Sequence, residues 1–167
     1  MPENRLALQA LQSFSRKPEG VLIARGDVGR GKSWTVGAVM RSLWLPRDPR
    51  RSWWGRIERV DEVAFFSLAK AAMDDKSLSP AVRAAVTAAK RADLLVWDDL
   101  WSQPPSEWRD TLLYEVWDER RRRGLPSLIT TNLKPDVGQA VSARRVESRI
   151  YGGASQVVIG GPDWRKQ

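Results

Sequence analysis

Apolar positions along the chain follow two patterns, and each pattern predicts a type of element. Apolar residues three or four positions apart predict helices over Leu6–Phe14, Lys32–Leu45, Val63–Met73, Pro80–Arg91 and from Ser106 to the arginines at 120–123. Short unbroken apolar runs predict buried strands at Val21–Ala24, Leu94–Trp97, Ser127–Thr130 and Gln156–Ile159. The segment 47–59 follows neither pattern, and we expect it to form an exposed loop rich in arginine and tryptophan.

Strands that alternate with helices predict an α/β fold, in which helices cover both faces of a parallel sheet. The length of 167 residues fits one domain, with a lead helix in 1–20, a core in 21–161 and a short tail in 162–167. In such sheets, ligands bind at the carboxyl ends of the strands. We therefore expect the functional residues to lie directly after the apolar runs.

Composition narrows the classes of function. Hydrophobic residues make up 42% of the chain and charged residues 29%, as in soluble globular proteins. The sequence has no histidine or cysteine, which excludes thiolate zinc sites and cysteine or histidine catalysis and leaves carboxylates with a metal ion for hydrolysis. The net charge of +8 favours a polyanionic partner. No apolar run is long enough to span a membrane, and we expect the protein in the cytoplasm of a bacterium or a phage-infected cell.

The glycine-rich segment at 26–33 fits the P-loop pattern G-x-x-x-x-G-K-[ST] between a predicted strand and a predicted helix. In this motif, backbone amides wrap the phosphates, the lysine reaches the β- and γ-phosphate oxygens, and the hydroxyl group ligates Mg²⁺. The alternative is a chance glycine-rich turn. The expected cofactors are ATP and Mg²⁺. The candidate nucleotide-binding residues are Gly26, Asp27, Val28, Gly29, Arg30, Gly31, Lys32, Ser33 and Trp34.

Polar residues follow two of the buried strands. Asp98 and Asp99 resemble a Walker B pair, in which Asp98 would hold Mg²⁺ together with Ser33, and Asp99 would orient or deprotonate the attacking water. Asn132 follows the next strand, where an amide can polarise that water and sense the γ-phosphate. The alternatives are a helix N-cap at Asp99 and an ordinary turn residue at Asn132.

The ordered series of these motifs resembles the AAA+ ATPases of the DnaC/IstB type, the bacterial and phage helicase loaders and transposition helper ATPases. The resemblance runs from about Leu6 to Arg165 and rests on the P-loop and on the segments 93–100, 125–133 and 147–150. It implies a P-loop NTPase of AAA+ type, a three-layer sandwich with a five-stranded parallel sheet of order 5-1-4-3-2 and little or no C-terminal lid.

The resemblance also implies roles for single residues. Asn132 would be sensor 1, Arg165 a short sensor 2, and Arg149 an arginine finger that acts in trans on ATP held by a neighbouring subunit. Self-association through ATP follows from that role. From the residues alone, Arg149 could instead pair with an acid, and Arg165 could be a solvated tail residue. Arg30 and Trp34 stand where P-loops of this group commonly have threonine and histidine.

Two basic segments, at 47–59 and at 120–123, are candidates for contact with a partner. Arginines can track phosphates while aromatic rings stack on the bases of single strands, although the tryptophans could also fold back onto the sheet. The run at 120–123 could contact a subunit interface or a nucleic-acid backbone, or it could be a solvated face. The candidate DNA-binding residues are Arg50, Arg51, Trp53, Trp54 and Arg56.

The sequence therefore predicts an ATP-binding and ATP-hydrolysing AAA+ protein of DNA replication. The expected role is that of a DnaC-like helicase loader, which binds single-stranded DNA, a replicative helicase or both. The alternatives are an IstB-like transposition helper, a P-loop kinase and a non-catalytic ATP-dependent DNA-binding adaptor. Phosphate transfer to a metabolite would favour the kinase, and equal DNA affinity with ATP and ADP would favour the adaptor.

Overall fold

The computed structural model of the chain describes residues 4–44, 55–71, 80–104, 106–132 and 141–163. In these ranges, helices and strands alternate. The helices are α1 (Arg5–Arg16), α2 (Lys32–Trp44), α3 (Glu62–Ala71), α4 (Pro80–Arg91), α5 (Glu107–Arg122) and α6 (Val141–Tyr151). The strands are β1 (Val21–Arg25), β2 (Ile57–Asp61), β3 (Leu94–Leu100), β4 (Ser127–Thr131) and β5 (Ser155–Val158). None of the described helices is both long and apolar enough to cross a membrane.

The strands form one parallel sheet in the order β2-β3-β4-β1-β5. Read from the β5 edge, this is the order 5-1-4-3-2, so the predicted sheet is confirmed. β4 lies between β1 and β3, with Thr131 level with Arg25 on one side and with Leu100 on the other. The carboxyl ends of β1, β3 and β4 therefore meet at the centre of one end of the sheet.

Two hydrophobic cores join the sheet to a layer of helices on each face. Residues of α1 and α2 pack on one face, and residues of α3, α4, α5 and α6 pack on the other. Along β3, Leu94 and Val96 face the first core, while Leu95 and Trp97 face the second. All four side chains are fully buried. A strand buried on both faces needs an unbroken apolar run, which explains the sequence pattern at this strand.

β2 lies where the sequence predicts an exposed loop, and that prediction is wrong for residues 57–59. The strand pairs with β3, with Arg59 level with Val96, although its sequence Ile-Glu-Arg-Val-Asp has only two apolar residues. Charged residues are tolerated there because β2 is at the edge of the sheet. Arg56 precedes β2 and is exposed. The other candidate DNA-binding residues, at positions 50, 51, 53 and 54, lie outside the described residues.

α6 is a helix that the apolar patterns do not predict. Ala143, Val146 and Ile150 form its buried face, and it packs against α5. Arg144 and Arg145 on the same helix are exposed. A narrow stripe of apolar residues in an arginine-rich segment gives only a weak helical signal in the sequence.

Arg120 differs from the rest of the basic run at 120–123, because it is buried. Its guanidinium donates to the carbonyl oxygens of Ala89 and Ala92, both at 2.8 Å. It also donates to the carbonyl oxygen of Pro126 at 2.5 Å and to Ser127 Oγ at 2.9 Å. Removal from water lowers its pKa to about 10. Arg120 therefore joins the end of α4 to the start of β4. Because it is buried, it is neither a contact residue for a partner nor part of a solvated face.

Replacing Arg120 with methionine should lower the free energy of unfolding by about 3 kcal/mol, because four acceptors would lose their donor. Arg121→Met removes the same charge from an exposed position and should change that free energy by less than about 0.5 kcal/mol. Urea unfolding followed by tryptophan fluorescence measures both variants. Equal stability of the two would contradict a structural role for Arg120.

Candidate nucleotide-binding site

The P-loop is a turn with three positions at which only glycine fits. Gly29 and Gly31 have φ angles of 80° and 83°, in the left-handed region that other residues rarely adopt. A Cβ atom at Gly26 would collide with the carbonyl oxygen of Ile159. The turn leads into α2, where Thr35 N donates to Gly31 O at 2.9 Å. Backbone amides at the start of a helix are suited to bind phosphate oxygens.

The chain after β5 packs directly on this turn. Backbone atoms of residues 159 and 160 are hydrogen-bonded to β1 and to the Asn4 side chain, at 2.7 to 3.1 Å. Further along, the carboxylate of Asp163 fills the space that a Cβ atom of Gly29 would need. Arg165, the predicted sensor 2, lies outside the described residues, so its role stays a prediction.

Lys32 and Asn132 connect the P-loop to the ends of β3 and β4. Lys32 is 7% exposed, and its Nζ donates to Asp27 O at 2.9 Å and to Asn132 Oδ1. Asn132 Nδ2 in turn donates to Asp99 Oδ1 at 2.8 Å. Three residues that the sequence assigns to one catalytic set therefore form a single hydrogen-bonded chain.

Asp98 is buried at the centre of the site, 3% exposed, and accepts hydrogen bonds from three other elements. Its Oδ1 accepts from Thr130 Oγ1 at 2.6 Å and from Ser33 Oγ at 3.1 Å. Its Oδ2 accepts from Arg59 Nη2 at 2.8 Å. Mg²⁺ prefers hydroxyl and carboxylate oxygens, and Ser33 and Asp98 present both next to the P-loop. These two residues therefore fit a magnesium ion that binds together with the phosphates of a nucleotide.

Asp99 has a backbone conformation that interrupts the pairing of β3 with β4. Its φ angle is 60°, its amide donates to Thr130 Oγ1 at 2.7 Å, and the register shifts between Trp97 and Leu100. The sequence predicts that the strand ends at Trp97, but β3 continues to Leu100 and includes both aspartates. Such backbone strain is common at functional sites, because it directs a side chain away from the regular alternation of a strand.

The environment of Asp99 raises the pKa of its carboxyl group. Burial is the main cause of the raised pKa of Asp99. The negative charges of Asp98 and Asp61 raise this pKa further, whereas the positive charge of Lys32 lowers it. The hydrogen bond from Asn132 also lowers it. A carboxylate whose proton affinity is raised is a stronger base toward a water molecule.

Glu62 is a buried carboxylate next to the site that the sequence patterns do not reveal. Its oxygens accept from Trp97 Nε1 at 2.9 Å and from the backbone amides of Trp101 at 3.1 Å and Gln103 at 3.3 Å. Burial raises its pKa. In the sequence, Glu62 has only the features of an acidic residue in the first turn of a helix. In the structure it fixes the chain that leaves β3 and so positions the strand end that carries both aspartates.

Arg149, the predicted arginine finger, contacts α5 of its own chain. Its Nε donates to Asp118 Oδ1 at 2.8 Å, and its Nη2 donates to the Tyr114 hydroxyl at 3.4 Å. The guanidinium lies over the Tyr114 ring, 5.5 Å from its centre. The hydrogen bond to Asp118 raises the pKa of Arg149. Within the single chain, Arg149 therefore pairs with an acid, as in the alternative stated from the residues alone.

A cavity of about 480 Å³ lies beside the P-loop and is bordered by α1. Its wall is mainly apolar, and Trp34 is 78% exposed. An apolar wall next to a phosphate-binding turn suits the base of a nucleotide. The sequence patterns do not predict the contribution of α1. The lining residues are Asn4, Ala7, Leu8, Leu11, Arg30, Gly31, Trp34, Thr35 and Ile159.

Three candidate nucleotide-binding residues of the turn remain, and two of them have exposed side chains. Val28 is 57% exposed. Arg30 and Asp27 form an ion pair at 3.6 Å, in which the Asp27 side chain is 82% exposed. The side chains of Asp27 and Val28 are therefore placed at the rim of the site, whereas Arg30 also lines the cavity. The backbone of Asp27 is the part that contacts Lys32.

No protein-family model and no curated protein matches the chain, but solved structures do. DnaA from Aquifex aeolicus with AMPPCP bound superposes with a TM-score of 0.74 at 17% identity, over 96% of this chain and 47% of that one. DnaI gives 0.73 at 21% identity, over 98% and 85%. A DnaC helicase loader gives 0.66 at 22% identity, over 95% and 90%.

The chain has the AAA+ fold. At these identities the likeness concerns the fold alone, and the predicted architecture is confirmed. The chain spans about half the length of the first two matched proteins, a DNA replication initiation factor at 46% and the Aquifex aeolicus DnaA at 47%.

Gly29→Ala should lower the free energy of unfolding by about 1–3 kcal/mol, because alanine is strained at this φ angle and its Cβ atom would meet Asp163. Gly37→Ala is the matched control. Gly37 lies within α2 with open space beside it, and alanine is favoured over glycine there by about 1 kcal/mol. Chemical unfolding measures both variants. If Gly29→Ala were as stable as Gly37→Ala, the P-loop conformation described above would be wrong.

Proposed function

We propose that the chain is a Mg²⁺-dependent ATPase that acts in DNA replication, in the manner of a helicase loader. The observation that carries this proposal is the meeting of five side chains at the carboxyl ends of neighbouring strands and the start of α2. They provide a phosphate-binding cation, metal-binding oxygens, a base and a polar amide, which are the parts that nucleotide hydrolysis uses. These side chains are Lys32, Ser33, Asp98, Asp99 and Asn132.

ATP is the proposed ligand of the P-loop and the cavity beside it. The P-loop amides would hold the phosphates, and the apolar cavity with Trp34 would hold the base. The similar DnaA from Aquifex aeolicus binds AMPPCP. This neighbour supports the choice of a nucleotide over a smaller phosphorylated molecule.

In the proposed mechanism, ATP rearranges the chain of hydrogen bonds around Asn132. Lys32 exchanges Asp27 O and Asn132 Oδ1 for oxygens of the β- and γ-phosphates. The released Asn132 oxygen orients the attacking water, while its amide nitrogen stays on Asp99. Asp99 accepts the proton of that water. Mg²⁺, held by Ser33 and Asp98, neutralises charge on the phosphates when it is bound.

The proposal includes an assembly in which Arg149 acts on ATP held by a neighbouring copy. Within its own chain, Arg149 is held by Asp118 and Tyr114. Its side chain remains 35% exposed, which leaves part of it accessible to a partner. An arginine that is already oriented loses less conformational freedom when it meets a phosphate. The competing role is structural, namely that the ion pair only joins α6 to α5.

The proposed partners are single-stranded DNA and a replicative helicase. The net charge of +8 suits a nucleic acid. Among the similar structures, a DnaA is bound to single-stranded DNA and a DnaC is a helicase loader. The segment that holds Arg50, Arg51, Trp53 and Trp54, together with Arg56, stays the proposed DNA contact.

Lys32→Ala should abolish ATP hydrolysis, because the cation that reaches the phosphates is removed. Lys90→Ala is the matched control, since Lys90 pairs with Glu115 between α4 and α5 and should be dispensable for turnover. Steady-state phosphate release with Mg²⁺, with and without single-stranded DNA, measures both variants and should show stimulation by DNA in the wild type. Tight ATP binding without turnover in the wild type would favour the non-catalytic adaptor instead.

Arg149→Ala should lower kcat by about 10³-fold and leave ATP binding unchanged, since the finger stabilises charge that develops on the γ-phosphate. Arg145→Ala removes an exposed arginine from the same helix and should leave kcat unchanged. A mixture of Arg149→Ala and Lys32→Ala proteins should regain activity, because an intact finger then faces an intact P-loop. Absence of rescue in the mixture would contradict action in trans.

A further inference from the structure

Arg59 lies on the edge strand next to the metal-binding aspartate. β2 and β3 pair in parallel, with Arg59 level with Val96 and Asp61 level with Asp98. Ile57, two residues before Arg59, packs in the core formed with α1 and α2. Because side chains alternate along a strand, Arg59 is on this same face, toward the helix that begins with the P-loop residues.

The Arg59 guanidinium is bound to the carboxylate oxygen that the other partners of Asp98 leave open. Its Nη2 lies 2.8 Å from Asp98 Oδ2, whereas Thr130 and Ser33 both donate to Oδ1. The Asp98 side chain is 4% exposed, but that of Arg59 is 48% exposed. The pair therefore joins a fixed, buried carboxylate to a cation that can withdraw into solvent.

The ion pair of Arg59 offsets negative charge in a site that holds several carboxylates. Asp61 is level with Asp98 on the neighbouring strand, and Asp99 follows Asp98 directly in the chain, so three carboxylates lie close together. A buried carboxylate without a compensating positive charge is costly. Lys32 donates to Asp27 O and Asn132 Oδ1, while Arg59 forms an ion pair with Asp98 at 2.8 Å.

Two buried arginines of the described residues have a different arrangement. Arg120 is enclosed by fixed carbonyl oxygens, and Arg109 is 3% exposed in its ion pair with Asp110. Both are structural and have no room to leave. The half-exposed side chain of Arg59 makes its contact with Asp98 exchangeable.

We propose that Arg59 is a tethered cation that pairs with the metal-binding carboxylate of Asp98 while no nucleotide is bound, and that it competes with Mg²⁺ for the charge of this carboxylate. This inference rests on the proposed function, in which the metal arrives with ATP. Competition between the two cations sets the free Mg²⁺ concentration at which the chain binds ATP. Arg59 thus acts through Asp98. It offsets the charge of this carboxylate when the metal is absent, and it makes ATP binding depend on the free Mg²⁺ concentration.

The test is equilibrium binding of a fluorescent ATP analogue over a series of free Mg²⁺ concentrations. Arg59→Gln should lower the Mg²⁺ concentration at half-saturation by about twofold to tenfold, because the competitor is removed. Arg59→Lys keeps the charge and should return this midpoint toward the wild-type value. Arg83→Gln, which removes an exposed arginine on α4, is the matched control and should leave it unchanged.

A second measurement uses thermal unfolding without nucleotide. In EDTA, Arg59→Gln should unfold at a lower temperature than the wild type. Mg²⁺ without nucleotide should raise the unfolding temperature of Arg59→Gln by more than it raises that of the wild type. An unchanged Mg²⁺ midpoint in Arg59→Gln would overturn the inference. Weakened ATP binding at saturating Mg²⁺ would also overturn it, because Arg59 would then contact the nucleotide.

The two proposals fail in different ways. If the wild type bound no ATP analogue at any Mg²⁺ concentration, the proposed function would fail. The nucleotide-free unfolding measurement would still decide whether Arg59 and Mg²⁺ compete for Asp98. If the wild type bound the ATP analogue and Arg59→Gln left the Mg²⁺ midpoint unchanged, the inference would be wrong and the proposed function would stand.

Discussion

The buried carboxylate of Asp98 is the interaction on which the arrangement of the site depends. A carboxylate with so little exposure is stable only when donors surround it. Here those donors come from α2, β2 and β4, through Ser33, Arg59 and Thr130. The Asp98 side chain therefore connects β3 to both neighbouring strands and to the helix that begins at the P-loop.

The P-loop is held from the other side by the chain that follows β5. Gly26 lies against the backbone of Ile159, and Gly29 lies against the Asp163 carboxylate. The chain after β5 and the P-loop are thus in direct contact. The cavity beside the P-loop is lined by α1, α2 and Ile159, so a bound base would contact the lead helix, the P-loop helix and the tail together.

The sequence patterns predicted the central strands and the P-loop because both are specified locally. β3 needs an unbroken apolar run, and the P-loop needs glycine where φ is positive. Burial of Arg120, the edge strand β2 and the contacts of Arg59 and Glu62 depend on residues that are distant in sequence. For example, the carbonyl oxygens that bind Arg120 come from the end of α4 and from the segment before β4. No local pattern contains that information.

The most direct test of the account is a single-turnover measurement with pre-bound MgATP, in which the wild type is compared with Asp99→Asn. We expect both proteins to bind ATP with similar affinity, because Asp99 is assigned to the attacking water rather than to the phosphates. Conversion of bound ATP to ADP should be slower by about 10²- to 10⁴-fold in the variant. Equal rates of conversion, or a wild type that binds no ATP, would contradict the account.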